Sequence, residues 1–473
     1  MKKEYPICVA GEWKKTASPL DVINPYDGSV AGVTFLAGAD DIERAVEAGA
    51  AAFEELKKYP SCKRADILSR VVKGIMERAD ELARTIAIEA GKPIKDARAE
   101  VKRAANTFQI ASEEAKRLGG EVLPLDVMEG PEKRVGIVRR FPVGPVLAIT
   151  PFNFPLNLVA HKVAPAMACG CPVIVKPATK TPLAALTLGK IITGAGWPPG
   201  GISVVPCPSA LAEKAVKDRR IKKLTFTGSA AVGWRLKDTA GMKRVTLELG
   251  GNAGVIIEED ADIDLAAKRC AYGAFSYAGQ VCISVQRIYA HRNVFERFTA
   301  RFLENVRALR PGDPLDQTTD IGPMIDEAAA ERAEAWVKEA VKEGAKVLVG
   351  GKRQGNFFEP TVLTGVRPSM KVCNEEVFAP VATLSVFEDF EQAVAEVNNS
   401  PYGLQAGIFT NDAKKIFYAF EKLDVGGVIA GDVPTYRADN MPYGGVKMSG
   451  FGREGVRYAI EEMTEQRVLV LNL

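Results

Sequence analysis

A cysteine at position 282 ends the small-residue run Ala278-Gly279-Gln280-Val281-Cys282, and a carboxylate at 248 leads into Leu249-Gly250-Gly251. A thiolate attacks carbonyl carbon, and the thioester it can form needs a base-activated water to clear it. The chain has 8 cysteines, so one alone carries little weight, but only 2 histidines, His161 and His291. Histidine-based catalysis and zinc chemistry are therefore poorly supplied. If Cys282 is the nucleophile, its base is a carboxylate, and Glu248 is the candidate.

These residues must be positioned by a large soluble scaffold. At 473 residues the chain is long enough for two or three domains. The net charge of +3 is small, and Lys and Arg alternate with Asp and Glu over 57–103, as on solvated helix faces. That pattern excludes the one-sided basic patch of a nucleic-acid binder. Met1-Lys2-Lys3-Glu4-Tyr5-Pro6 lacks a secretory apolar core, and no window nears the roughly 18 apolar residues of a membrane span. The cysteines are dispersed without a repeated CxxC, so no metal site or disulfide framework is expected, and a cytoplasmic location is. Apart from Cys282, they are expected to be packing residues, Cys169 and Cys171 included.

Residues 40–118 carry helical periodicity, as in Ile67, Val71, Ile75 and Leu82. From about 143 the texture changes to short β-branched runs (146–149, 173–175, 202–205, 223–226) separated by helical stretches. Alternating strands and helices predict right-handed βαβ units and a parallel sheet. A second set is predicted after Gly250-Gly251, with strands at 255–257 and 347–349. Lys133–Phe141 and Glu465–Leu473 alternate as strands that leave the main bodies.

Thr227-Gly228-Ser229-Ala230-Ala231-Val232-Gly233 follows a strand and opens a helix. Gly228 allows close backbone approach, and Ser229 can cap a helix whose N-terminal N–H groups suit a pyrophosphate. Lys176-Pro177 ends a buried strand, at the sheet edge where open α/β sheets bind ligands. Thr150-Pro151-Phe152-Asn153-Phe154-Pro155 also follows a strand; Asn153 serves equally as a turn residue or as a donor to a developing oxyanion.

Taken in order, Thr150–Pro155, Lys176-Pro177, Phe226–Gly233 with Glu248–Gly251, and Gly279–Cys282 resemble the aldehyde dehydrogenase superfamily. Glu375–Pro380, Pro442–Gly450 and Gly452-Arg453-Glu454 extend the likeness over almost the whole chain. Each motif is modest alone; their order is highly specific. The resemblance implies an α/β fold: a Rossmann-like parallel-sheet cofactor domain (1–118 and 140–249), an α/β catalytic domain (250–447) and a small β oligomerisation element (119–139 and 460–473). It implies that Cys282 attacks an aldehyde, that Asn153 and the Cys282 amide hold the oxyanion, and that Glu248 activates the hydrolytic water. Lys162 and Glu454 match a proton-relay pair. Thr150, Pro151, Phe152, Lys176, Thr179, Gly228, Ser229, Gly233 and Gly250 would bind the cofactor, with Glu376 on the nicotinamide ribose and Phe378 by the ring. A homodimer or homotetramer is expected, because projecting strands leave edges for a partner to cover.

Departures from the pattern sharpen the expectation. The usual Lys-Pro-x-Glu is here Lys176-Pro177-Ala178-Thr179, and a threonine accepts a 2′-phosphate that a carboxylate repels. NADP is therefore preferred over NAD. The motifs stand closest to lactaldehyde and non-phosphorylating glyceraldehyde-3-phosphate dehydrogenases. Arg103 and Arg437 match two arginines of the latter's phosphate site, whereas Phe154 and Val281 replace a tyrosine and an arginine, and Tyr443 replaces a phenylalanine. That thinned site suits a small hydroxyaldehyde such as lactaldehyde, or one with a single anionic group. Glyceraldehyde 3-phosphate and succinic semialdehyde are the alternatives. Acylation of coenzyme A is disfavoured by Glu248, and a non-catalytic scaffold by the joint presence of Cys282, Glu248 and Asn153.

Overall fold

Val146–Ile149, Val173–Lys176, Ile202–Val204, Lys223–Thr227 and Arg244–Glu248 are short, nearly fully buried runs, as strands covered by helices on both faces must be. In the computed structural model, which describes residues 3–130 and 132–473, they pair in parallel at the centre of an 8-stranded sheet. Val146–Ile149 lies centrally, and the strand order reverses between it and Lys223–Thr227. That switch point, beyond the carboxyl ends of the strands, is where such sheets open a ligand crevice.

The edges of the sheet are antiparallel. Ile7–Val9 pairs with Ile202–Val204 and carries Glu12–Lys14 outside it, while Gly450–Phe451 pairs with Leu247 and Glu248 at the other edge. The chain thus returns to this sheet near its end, and the helix Val456–Glu462 packs on the helix Asn157–Cys169. The helical region resolves into Ala39–Leu56, Ser61–Glu77, Ala79–Ala90 and Ile94–Arg117.

A second, 7-stranded sheet holds Ala253–Ile257, Val285–His291, Thr361–Thr364, Val381–Phe387, Gln405–Phe409 and Gly427–Ala430 in parallel. Lys346–Val349 forms an antiparallel edge rather than continuing the βαβ series. The third sheet joins Gly120–Pro124, Arg134–Pro142 and the tail Thr464–Asn472 in antiparallel order. Every tail residue from 464 to 472 is matched to one of 134–142, so the projecting hairpin and tail pair with each other within one chain. Among the described residues no strand covers the tail's outer edge.

Six of the seven remaining cysteines are buried, but Cys62 is exposed at the start of its helix and is not a packing residue. Among the described residues no helix is long and apolar enough to cross a membrane.

Candidate active site

Glycines bring the two chemical loops together. Gly250-Gly251 follows the strand that ends on Glu248, and a side chain at 251 would collide with the Cys282 carbonyl. Gly251 therefore lets the cysteine loop rest on the end of the first sheet. Before Cys282 the backbone makes a left-handed turn: Tyr277, Ala278 and Gly279 have φ of 50°, 51° and 66°. Two non-glycine residues held there store strain at the segment that presents the thiol. Gln280, buried, fixes this turn by accepting the Ile325 N–H at its Oε1, 2.9 Å away.

Cys282 faces a cavity of about 370 Å³, shared with Asn153, Gly250, Glu376, Phe378 and Tyr443. The Asn153 Nδ2 donates to the Gln280 carbonyl at 2.9 Å, tying the asparagine to the cysteine loop. An amide nitrogen carries two N–H groups, so a second donor remains. The Cys282 Sγ lies 3.3 Å from the Tyr443 hydroxyl. Burial pushes the thiol up to about 11, against the pull of this bond.

Glu248 is buried with both carboxylate oxygens unpartnered. Burial and the neighbouring Glu454 carboxylate drive its pKa well above the usual range, which favours a proton-holding base. It does not line the cavity with Cys282 but sits behind it, packed against Gly444. Lys162 and Glu454 lie deeper still. The Lys162 ammonium donates to Glu454 Oε1 at 2.6 Å and to Thr225 Oγ1 at 3.0 Å, and the Arg437 guanidinium reaches Glu454 Oε2 at 3.4 Å. Burial alone would raise the Glu454 carboxyl; the Lys162 and Arg437 cations outweigh it and hold it low.

The helix carrying Lys162 starts without a side-chain cap of its own. Glu100, from the helix Ile94–Arg117, supplies one: its Oε1 accepts the N–H groups of Leu156 and Asn157 at 2.9 and 3.1 Å. That fixes the loop bearing Asn153 against the helix behind it.

A second cavity of about 310 Å³ lies over the first sheet's switch point, lined by Thr150, Lys176, Thr179, Phe226 and Val232. Pro151, Phe152, Thr227 and Gly228 line both cavities, so the two abut. Phe152 and Phe378 meet edge-to-face at 5.9 Å near the junction. Lys176 makes no ion pair or hydrogen bond through Nζ among the described residues, and the Thr150 and Thr227 hydroxyls are buried without partners. Burial lowers the Lys176 ammonium's pKa. These orphaned polar groups are what an elongated phosphate-bearing cofactor would satisfy. Ser229 occupies the N-cap of the helix Ala230–Ala240 and lines the first cavity, but its side chain makes no capping bond. Gly233 lines neither cavity; a side chain there would strike Leu249 and Phe226, so its role is to let helix and strand approach.

The aldehyde dehydrogenase family model matches residues 13–469. The chain belongs to the aldehyde dehydrogenase family. It is 46% identical over 473 residues to the 3-sulfolactaldehyde dehydrogenase of Priestia aryabhattai, covering 100% of this chain and 98% of that one. Aldehyde dehydrogenase 21 of Physcomitrella patens, solved with its reaction product succinate, superposes with a TM-score of 0.98 at 46% identity, covering 100% of this chain and 99% of that one. The glyceraldehyde-3-phosphate dehydrogenase GapN of Methanocaldococcus jannaschii, solved with NADP, gives 0.92 at 40% identity, covering 96% and 99%.

In this family member the expected substrate residues Arg103, Phe154, Arg437 and Tyr443 all line the Cys282 cavity. Both arginines are already engaged by carboxylates: Arg103 donates to Asp439 Oδ1 at 2.8 Å, and Arg437 pairs with Glu454. Each keeps a buried Nε–H without a partner. Asp439 was not foreseen. Its partner Arg103 lies 336 residues away, so no local pattern marks it. Its Oδ1 also accepts from His161 Nε2 at 3.1 Å, and burial together with Arg437 pushes that imidazole down to about 4. Arg332, on the helix Glu327–Lys342, lines the cavity as well, and no motif in the sequence marks it.

Proposed function

We propose that the protein oxidises a small hydroxyaldehyde bearing one anionic group to its carboxylic acid, with NADP as the preferred oxidant. The carrying observation is the lining of the cavity that holds the nucleophile. Arg103, Arg332 and Arg437 line it, with Arg103 held by Asp439 and Arg437 by Glu454, and Phe154 and Val281 make the wall beside them apolar. Guanidiniums already tied to carboxylates suit one carboxylate or sulfonate. A phosphate dianion would be better held with hydrogen-bond donors in place of Phe154 and Val281. Two relatives fit this reading: one is named for 3-sulfolactaldehyde, and another was solved with succinate.

Cys282 attacks the aldehyde carbon, and the oxyanion is held by the free Asn153 N–H and the Cys282 amide. When bound, the nicotinamide supplies the hydride acceptor that turns the thiohemiacetal into a thioester. Lys176 and Thr179 would hold the 2′-phosphate end in the second cavity, Glu376 a ribose hydroxyl, and Phe152 with Phe378 would flank the ring end. Glu248 takes a proton from water for thioester hydrolysis, and the Lys162–Glu454 pair passes that proton inward from it.

Initial rates of cofactor reduction with 3-sulfolactaldehyde, succinic semialdehyde, lactaldehyde and glyceraldehyde 3-phosphate, each with NADP and NAD, test this. The expected result is the highest kcat/KM for a singly charged aldehyde with NADP. Preference for uncharged lactaldehyde would favour the simpler substrate. Preference for the phosphate would overturn the argument from the thinned wall.

A further inference from the structure

We propose that Tyr443 is a catalytic residue: its phenol donates to the Cys282 thiolate, and Arg437, stacked on its ring, is the positioning residue that strengthens this donor. The proposal rests on Cys282 being the nucleophile proposed above, and goes beyond it by naming what sustains the nucleophile's charge.

A thiol in this cavity has a problem. Burial disfavours the thiolate, and the carboxylates of Glu376 and Glu248 oppose it further, while the charge of Arg437 offsets part of this. Among the described residues the Tyr443 hydroxyl, at 3.3 Å, is the Sγ's one hydrogen-bond partner. A phenol both donates and accepts. Toward a neutral thiol either group can donate, but toward a thiolate only the tyrosine can, so the contact favours the charged form.

Tyr443 is held in place from three sides. Its N–H donates to the Glu454 carbonyl at 3.0 Å, and its carbonyl accepts the Glu454 N–H at 2.6 Å. The Arg437 guanidinium carbon lies 3.6 Å from the ring centroid. A cation over the ring face draws electron density from the phenol and makes its O–H a stronger donor. Arg437 is in turn fixed by Glu454 at 3.4 Å. The buried ion pair behind the site thus reaches the nucleophile through one guanidinium and one ring.

No proton leaves Tyr443 in this scheme. The thiol proton departs to solvent, the phenol keeps its own, and the O–H···S⁻ bond weakens once sulfur bonds the carbonyl carbon and loses its charge. The phenol stabilises the state just before attack.

The test is the pH dependence of Cys282 alkylation by iodoacetamide, followed by mass spectrometry, which needs neither aldehyde nor cofactor. Tyr443→Phe keeps the ring and removes one oxygen. The expected result is an inflection about one pH unit higher and roughly tenfold slower alkylation at neutral pH, as loss of one hydrogen bond to a charged group implies. Arg437→Met should shift it the same way by less, and by more in the native protein than in Tyr443→Phe, where only the direct pull of its charge on Cys282 is lost. An unchanged profile in Tyr443→Phe, with melting temperature and cofactor affinity intact, overturns the catalytic role. Additive shifts in the double variant overturn Arg437's action through the ring. If instead wild-type Cys282 resists alkylation at every pH, the nucleophile assignment fails, which is a separate outcome.

Discussion

Lys162 and Glu454, 292 residues apart in sequence, form an ion pair of 2.6 Å in which neither side chain is more than 2% exposed. It lies beside Glu248, whose carboxyl is driven up by burial first and by Glu454 second. The pair is thus both a structural joint and a tuner of the base.

Glu454→Gln should separate these effects. It leaves Lys162 buried and uncompensated, which costs on the order of 3–5 kcal/mol. It also removes the negative neighbour of Glu248, so the Glu248 pKa falls and the base is ionised at lower pH. A lower melting temperature together with an acid-shifted limb in the pH–rate profile is expected. A profile unmoved at fixed stability would disconnect Glu454 from the base.

Much of the candidate site was legible because its residues are local: Cys282, Glu248, Asn153 and the glycines that pack them lie in short segments where residue type limits the possible chemistry. What sequence could not give are the contacts between distant segments. Glu100 caps the helix of Lys162 from a different helix, and Asp439 gathers Arg103 and His161. In sequence, Glu100 is one acid among many on a charge-rich helix. The strands Ile7–Val9 and Gly450–Phe451 were missed for a related reason: two- and three-residue antiparallel edges are too short to show a period.

Thr179 supplies a test of cofactor choice. Thr179→Glu would place a carboxylate in the second cavity beside Lys176, where it would pair with the ammonium and repel a 2′-phosphate. The apparent Kd for NADP should rise at least tenfold while that for NAD holds or falls, as followed by quenching of protein fluorescence. Equal losses for both cofactors would mean the residue lies away from the 2′ position.

Glu376 links cofactor binding to pH. Burial lifts its carboxyl to about 7, against the Gly251 N–H that donates to it at 2.9 Å. A ribose hydroxyl donates best to the ionised form, so NADP should bind more tightly as pH rises from about 6 to 8. The stability sign is opposite. The folded state holds this proton more firmly than the unfolded chain does, so the contribution is fully present below about 4.5 and is lost as pH climbs through about 7. Glu376→Gln should flatten the pH dependence of NADP affinity; persistence of that dependence would assign it to another group.

The tail strand predicts assembly. Val468, Leu469 and Val470 are 60%, 56% and 49% exposed, so neither face of Thr464–Asn472 is covered. An apolar strand with an open edge invites pairing with a second copy. Light scattering should give a dimer or tetramer, and Val468→Lys/Val470→Lys, which leaves the backbone pairing to Arg134–Pro142 intact, should shift it toward monomer. A monomeric native protein would sink the oligomerisation role of this sheet.

Glu248→Gln tests the division of labour between nucleophile and base. The amide preserves shape but accepts no proton, so water attack on the thioester should slow by about 10²–10⁴-fold, the usual worth of a positioned base. Hydride release precedes that step, so mixing the variant with aldehyde and NADP should give a burst of reduced cofactor equal to the Cys282 sites, then a slow phase. Mass spectrometry of the quenched burst should find the acyl group on Cys282. If the burst itself disappears while iodoacetamide still labels Cys282 at high pH, Glu248 is needed earlier, to take the thiol proton. The buried, unpartnered carboxylate would then serve both steps, and raising the pH should restore the burst without restoring turnover.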